Sequence, residues 1–175
     1  MAESNEADVV LARFDESHPG VTVRPLFHEE VVLALTQTLL EQTCGMPAEE
    51  ATRKAEQEGL GMLAQCPFLL ETIDDISGRI AHVELSRAGI KPRGIVESTN
   101  MMTLLSLSAA GLGGVFCPTN MLDEIPTLSE KLIRIRLSEA ARYQISLGTP
   151  QNAEPWSPAQ LFEDVIGALF GESEA

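Results

Sequence analysis

Three consecutive side chains, Ser98, Thr99 and Asn100, stand directly before an apolar run from Met101 to Ala110 that stops at Gly111. Hydroxyl and carboxamide types in front of such a run cap a helix, because their oxygens accept from the first main-chain N–H groups. The remaining N–H groups of a first turn carry partial positive charge. When the turn follows the carboxyl end of a strand, they suit an anion or a carboxylate. Plain capping accounts for the residues on physical grounds alone, and ligand contact is the further role they could take.

Other chemistry is poorly supported by the residue pattern. Gly111, Gly113 and Gly114 follow a helix and precede a strand, the reverse of the order a dinucleotide fingerprint needs, so they read as a helix stop feeding a tight turn. No Gly-x-Ser-x-Gly segment surrounds Ser77, Ser86 or Ser106, and acidic residues are too numerous for any two to be singled out as an acid and base pair. No catalytic residue is assigned. Cys44, Cys66 and Cys117, with His18, His28 and His82, are scattered without metal-ligand spacing and read as reduced thiols and surface histidines. No metal or cofactor is expected. Arg24, Arg79 and Arg93 could meet a ligand carboxylate, with surface ion pairs as the simpler fate.

The elements that must position the cap residues follow from local pattern. Asp8 to Arg13 reads as a buried strand, and Val21 to Leu35 as two strand segments interrupted at Pro25. Pro47 to Gly59 reads as a solvated helix, a lid or linker and not core. PFLLE from Pro67 to Glu71 reads as a strand, Asp75 to Arg87 as a helix stopped by Gly89, Gly94 to Glu97 as a short extended piece, and Val115 to Pro118 as a buried strand. Two more strands, Lys131 to Leu137 and Tyr143 to Gly148, precede a last helix. In that helix Ser157 caps, Pro158 takes the first turn, and Leu161, Phe162, Val165, Ile166, Leu169 and Phe170 form a buried stripe. Alternation of strands and helices implies an α/β fold with a largely parallel sheet.

The chain has 175 residues, enough for about one ordinary domain. Its 26 acidic against 12 basic side chains give a net charge of -14, and no basic stripe is present, which excludes direct nucleic-acid binding and an anionic membrane surface. The first residues lack a basic flank and apolar run, and no stretch is long and apolar enough to span a bilayer, so a cytoplasmic protein is expected.

Three ordered blocks resemble the effector-binding region of LysR-type transcriptional regulators: EADVVLAR, VTVRPLFHEEVVLAL and ESTNMMTLLSLSAAGLGGVFCP. The resemblance runs from about Glu6 to the last helix. It implies a type II periplasmic-binding-protein-like fold, with one complete lobe (26–135) and a truncated one (1–25 and 136–175) joined by two crossover strands. A small-molecule effector, a carboxylate by the chemistry of the helix start, would sit in the cleft between lobes. Carried over by position, the ligand contacts would be Leu70, Thr72, Ile73, Ser98, Thr99, Asn100, Phe116 and Pro118. The resemblance also implies a homodimer or higher oligomer, and DNA contact only through a helix-turn-helix absent from this chain. The family's first strands and helices before the ADVVLA strand have no counterpart here, so an incomplete first lobe is expected. The alternative is a stand-alone ligand-binding or protein-interaction module on the same fold; nothing in the residues favours an enzyme.

Overall fold

A computed structural model of the chain describes residues 8–14, 19–92, 96–151 and 157–170. It divides into two units, one of residues 1–29 with 143–175, the other of residues 30–142.

The larger unit is built on a mixed sheet. Strand β3 (Phe68–Leu70) lies between β5 (Gly114–Pro118) and β4 (Val96–Glu97), parallel to both, while the second half of β2 (Val21–Leu35) runs antiparallel to β5 and to β6 (Ile133–Arg136). Only the β5–β3–β4 part is parallel, because only these strands are joined by helical crossovers, α3 (Ile76–Arg87) and α4 (Met101–Ala109). Val31 to Leu35 is an unbroken apolar run, as expected of a strand covered on both faces, and every member is buried. Val32, Ala34, Leu69, Leu104, Leu105, Val115 and Leu122 form one core under α4. Phe68 and Phe116 fill another part, with ring centroids 6.0 Å apart. Each fully buried large apolar side chain there contributes roughly 1.5–3 kcal/mol.

Helix α1 (Gln37–Cys44) was not legible as a helix in the TQTLLEQTCG segment. Thr36 caps it by accepting from Leu39 N at 3.3 Å, and Gly45 ends it with φ +65°. Its Glu41 then accepts from Ala48 N, supplying α2 (Ala48–Glu58) with the cap that Pro47 lacks. The expectation of a solvated lid for α2 is overturned. Ala48, Ala51 and Ala55, one per turn, are buried, and Glu56 accepts from the main-chain N–H of Arg136 in β6. Alanine is too small to show as an apolar stripe among charges, yet it allows close approach. Short helices α5 (Thr119–Asp123) and α6 (Pro126–Ser129) follow β5.

The smaller unit holds β1 (Val10–Ala12), the first half of β2, β7 (Arg142–Pro150) and α7 (Ser157–Phe170). β7 lies between β1 and β2, pairing antiparallel with β1 with Leu11 opposite Leu147. Pro25 does not interrupt β2, which is continuous over 15 residues. Here β2 has β7 on one side and no strand among the described residues on the other, and an edge strand tolerates a residue that cannot donate. Among the described residues Arg24 bonds no carboxylate; it donates to the Glu163 carbonyl of α7 at 3.0 Å and packs on Gly167 one turn further.

Four members of the apolar stripe of α7 are not buried as expected; Ile166 is half-buried, and the side chain of Phe170 lies outside the described residues. Leu161 is 64% and Leu169 67% exposed, with Phe162 and Val165 exposed as well. Periodicity identified the apolar face correctly, but burial also requires an element to cover it, and among the described residues none does.

Candidate functional site

Parallel pairing sets the carboxyl ends of β5, β3 and β4 at one edge of the larger unit. Leu69 lies between Val115 and Val96, and Leu70 opposes Glu97. Ser98 N donates to Leu70 O at 3.1 Å, extending the ladder by one rung, so the turn after β3 and the start of α4 lie side by side.

Both turns are held by their own side chains. Asn100 Oδ1 accepts from Thr103 N at 3.1 Å, and Ser98 Oγ accepts from Asn100 N at 3.0 Å. The capping role is therefore real, with Asn100 as the cap itself. Thr99 stays exposed between them, and helix geometry leaves first-turn N–H groups without intrahelical partners. In the other turn Thr72 Oγ1 donates to Asp75 Oδ2 at 3.0 Å, and Asp75 N donates to Thr72 O at the same distance. Asp75 precedes α3 without capping it, because its carboxylate is engaged by Thr72.

Of the residues expected to touch a ligand, Leu70, Thr72, Ile73, Ser98, Thr99, Asn100 and Pro118 all lie along this edge. Ile73 is 61% exposed, Leu70 and Pro118 half-buried. Phe116 differs. Its ring is buried against Phe68 in the core, which leaves only its main chain to serve the edge.

Two carboxylates at this edge were missed because nothing in a chain rich in acidic residues marks them. Glu97 is exposed at the end of β4. Glu71 is half-buried, and burial, reinforced by the negative charge of Asp75, pushes its carboxyl above the usual range against the opposing bond from Ser77. Burial likewise raises the thiols of Cys66 and Cys44. Among the described residues no cluster of three or more His, Cys, Asp or Glu could hold a metal ion.

A mixed sheet with crossover helices in one continuous unit, a second unit made from the two flanking segments, and cap residues at the strand ends are the architecture of a type II periplasmic-binding-protein-like domain. The model of the LysR substrate binding domain matches residues 1–171, and the chain belongs to that family. Solved structures agree in fold. The CcmR regulatory domain of Synechocystis PCC6803, in complex with 2-PG, superposes with a TM-score of 0.74 at 13% identity, over 99% of this chain and 78% of that one. The effector binding domain of QuiR in complex with shikimate gives 0.65 at 13% identity, over 98% and 76%. Full-length CbnR complexed with its target DNA gives 0.61 at 18% identity; the match covers 94% of this chain and 54% of that one. No curated protein sequence matches.

Proposed function

We propose that this chain senses a small-molecule effector for a LysR-type transcriptional regulator, and that the larger unit receives the effector at the edge formed by Thr72, Ser98, Thr99 and Asn100. The observation that carries this reading is the convergence of three parallel strand ends on the capped start of α4 in a family named for substrate binding. A carboxylate is the chemistry that suits first-turn N–H groups and the Thr99 hydroxyl. The chain works without catalysis. It acts in the cytoplasm, and DNA contact belongs to a basic reader outside this acidic sequence.

A thermal-shift screen of small carboxylates, amino acids and aromatic acids tests the reading. An acid at 100 times its dissociation constant stabilises by about 2.7 kcal/mol, which at this size raises Tm by several degrees. Asn100→Asp keeps the cap but sets a negative charge at the helix start, and should weaken such an acid by about tenfold while leaving the unliganded Tm near wild type. No shift with any acid, or a shift indifferent to Asn100→Asp and Thr99→Val, would overturn the assignment.

The exposed stripe of α7 favours a second reading, in which this face engages another chain, including a second copy in a homodimer. Sedimentation of the wild type and of Leu161→Gln/Leu169→Gln separates the two readings: a monomer at high concentration counts against self-association.

A further inference from the structure

The larger unit has a concave feature on the α3 side of β3 and β4. It is a groove of about 370 Å³ running along α3, a volume within the range of small-molecule sites. Leu70, Leu85 and Ile90 give it an apolar floor.

Charge is segregated along this groove. Because Leu70 and Glu97 are register partners in parallel strands, Glu71 and Glu97 stand at the same end. Gly78, in the first turn of α3, lies so close to the Thr72 carbonyl that an added Cβ would overlap it, which anchors the start of α3 at the acidic end. The helix then runs about 12 Å from Gly78 to Ser86. Past its far end Ile90 N donates to Leu85 O at 2.9 Å, and the next residue, Lys91, supplies the positive charge there. His82 lies between the two ends. Neither Lys91 nor Glu97 makes an ion pair or side-chain hydrogen bond among the described residues.

We propose that this groove binds an amphipathic zwitterion, its ammonium against Glu71 and Glu97, its aliphatic body on Leu85 and Ile90, and its carboxylate beside Lys91. Opposite charges at the two ends select against the alternatives. A diamine of the same length meets Lys91 with like charge, and a dicarboxylate meets Glu71 and Glu97 in the same way. Burial that raises the Glu71 carboxyl is relieved when an ammonium arrives, so the half-buried carboxylate favours a cation there. The groove shares Leu70, Glu71, Ile73 and Glu97 with the strand-end edge, but Ser98, Thr99 and Asn100 at the start of α4 do not line it, so the two sites can be told apart by variants at those three residues.

Titration calorimetry on the full chain with 5-aminopentanoate, 6-aminohexanoate and 8-aminooctanoate tests this, with 1,6-diaminohexane and adipate as controls. One of the three amino acids should bind, and neither control should match it. Lys91→Met and Glu97→Gln alter exposed side chains, so they keep the fold, and each should weaken binding by about tenfold or more. Asn100→Asp should leave it unchanged. The proposal is overturned if none of the three binds, if a control binds equally, or if Lys91→Met and Glu97→Gln have no effect. Loss of binding in Asn100→Asp would move the ligand to the start of α4 and overturn it as well.

Discussion

Ser108 Oγ donates to the main-chain carbonyl of Ala34 at 3.1 Å, a buried bond that pins the last turn of α4 onto β2. Ser108 has no exposed surface, so the hydroxyl has no water to fall back on. This pin and the Asn100 cap hold opposite ends of one nine-residue helix, and the first fixes how deep the second sits. Ser108→Ala should lower stability by about 1 kcal/mol through loss of the bond. Ser108→Val should lower it by a further 1–3 kcal/mol or so, since it adds volume to a filled site. Urea denaturation of both variants checks the order.

Gly78→Ala sets two effects against each other. Alanine inside a helix is worth about 1 kcal/mol over glycine. Here its Cβ would overlap the Thr72 carbonyl oxygen and crowd that of Glu71, both main-chain atoms that cannot rotate away. The steric effect wins, with an expected loss of about 3 kcal/mol or more, or no folded protein. Circular dichroism melting of Gly78→Ala beside Gly61→Ala, where an added Cβ would lie 4.0 Å from the Ala88 carbonyl oxygen, separates crowding from the replacement of glycine itself.

Glu71 predicts a sign for pH dependence. Its carboxyl is raised in the folded chain by burial and by Asp75, so the folded state holds the proton to higher pH than the unfolded state does. Its contribution to stability is present below the ordinary glutamate value and is lost as pH rises through the raised one. Glu71→Gln should therefore lose less stability than wild type as pH rises above the ordinary glutamate value. Half-exposure keeps the difference small, and urea midpoints across that range measure it.

On α7, Leu161→Gln and Leu169→Gln should change stability by no more than about 0.5 kcal/mol each, because both side chains are already in water. Buried leucines in a helix stripe would lose several times that. A dye that fluoresces on apolar surface should bind the wild type and lose signal in the double variant.

Most strands were legible because their signals are local. PFLLE, VFCP and the alternating KLIRIRL became β3, β5 and β6 at nearly the expected residues. The cap at Ser98 to Asn100 was legible for the same reason, being a side-chain pattern three residues long. What failed depended on contact with distant elements. Pro25 was read as a break because its neighbours in the sheet were unknown. The alanines of α2 were read as solvated because their burial comes from α1 and β6. Phe116 entered the expected ligand contacts through the family resemblance alone, and no local signal in VFCP told that its ring is buried beside Phe68.

The larger unit is one uninterrupted stretch, 30–142, and the smaller is divided between the two sides of it. Chain order therefore imposes an order of assembly. During synthesis the larger unit has all its residues before most of β7 has left the ribosome, whereas β1 waits without its pairing partner until β7 arrives. Residues 8–14 pass that interval without the strand they pair with, so the larger unit is the part best placed to fold first.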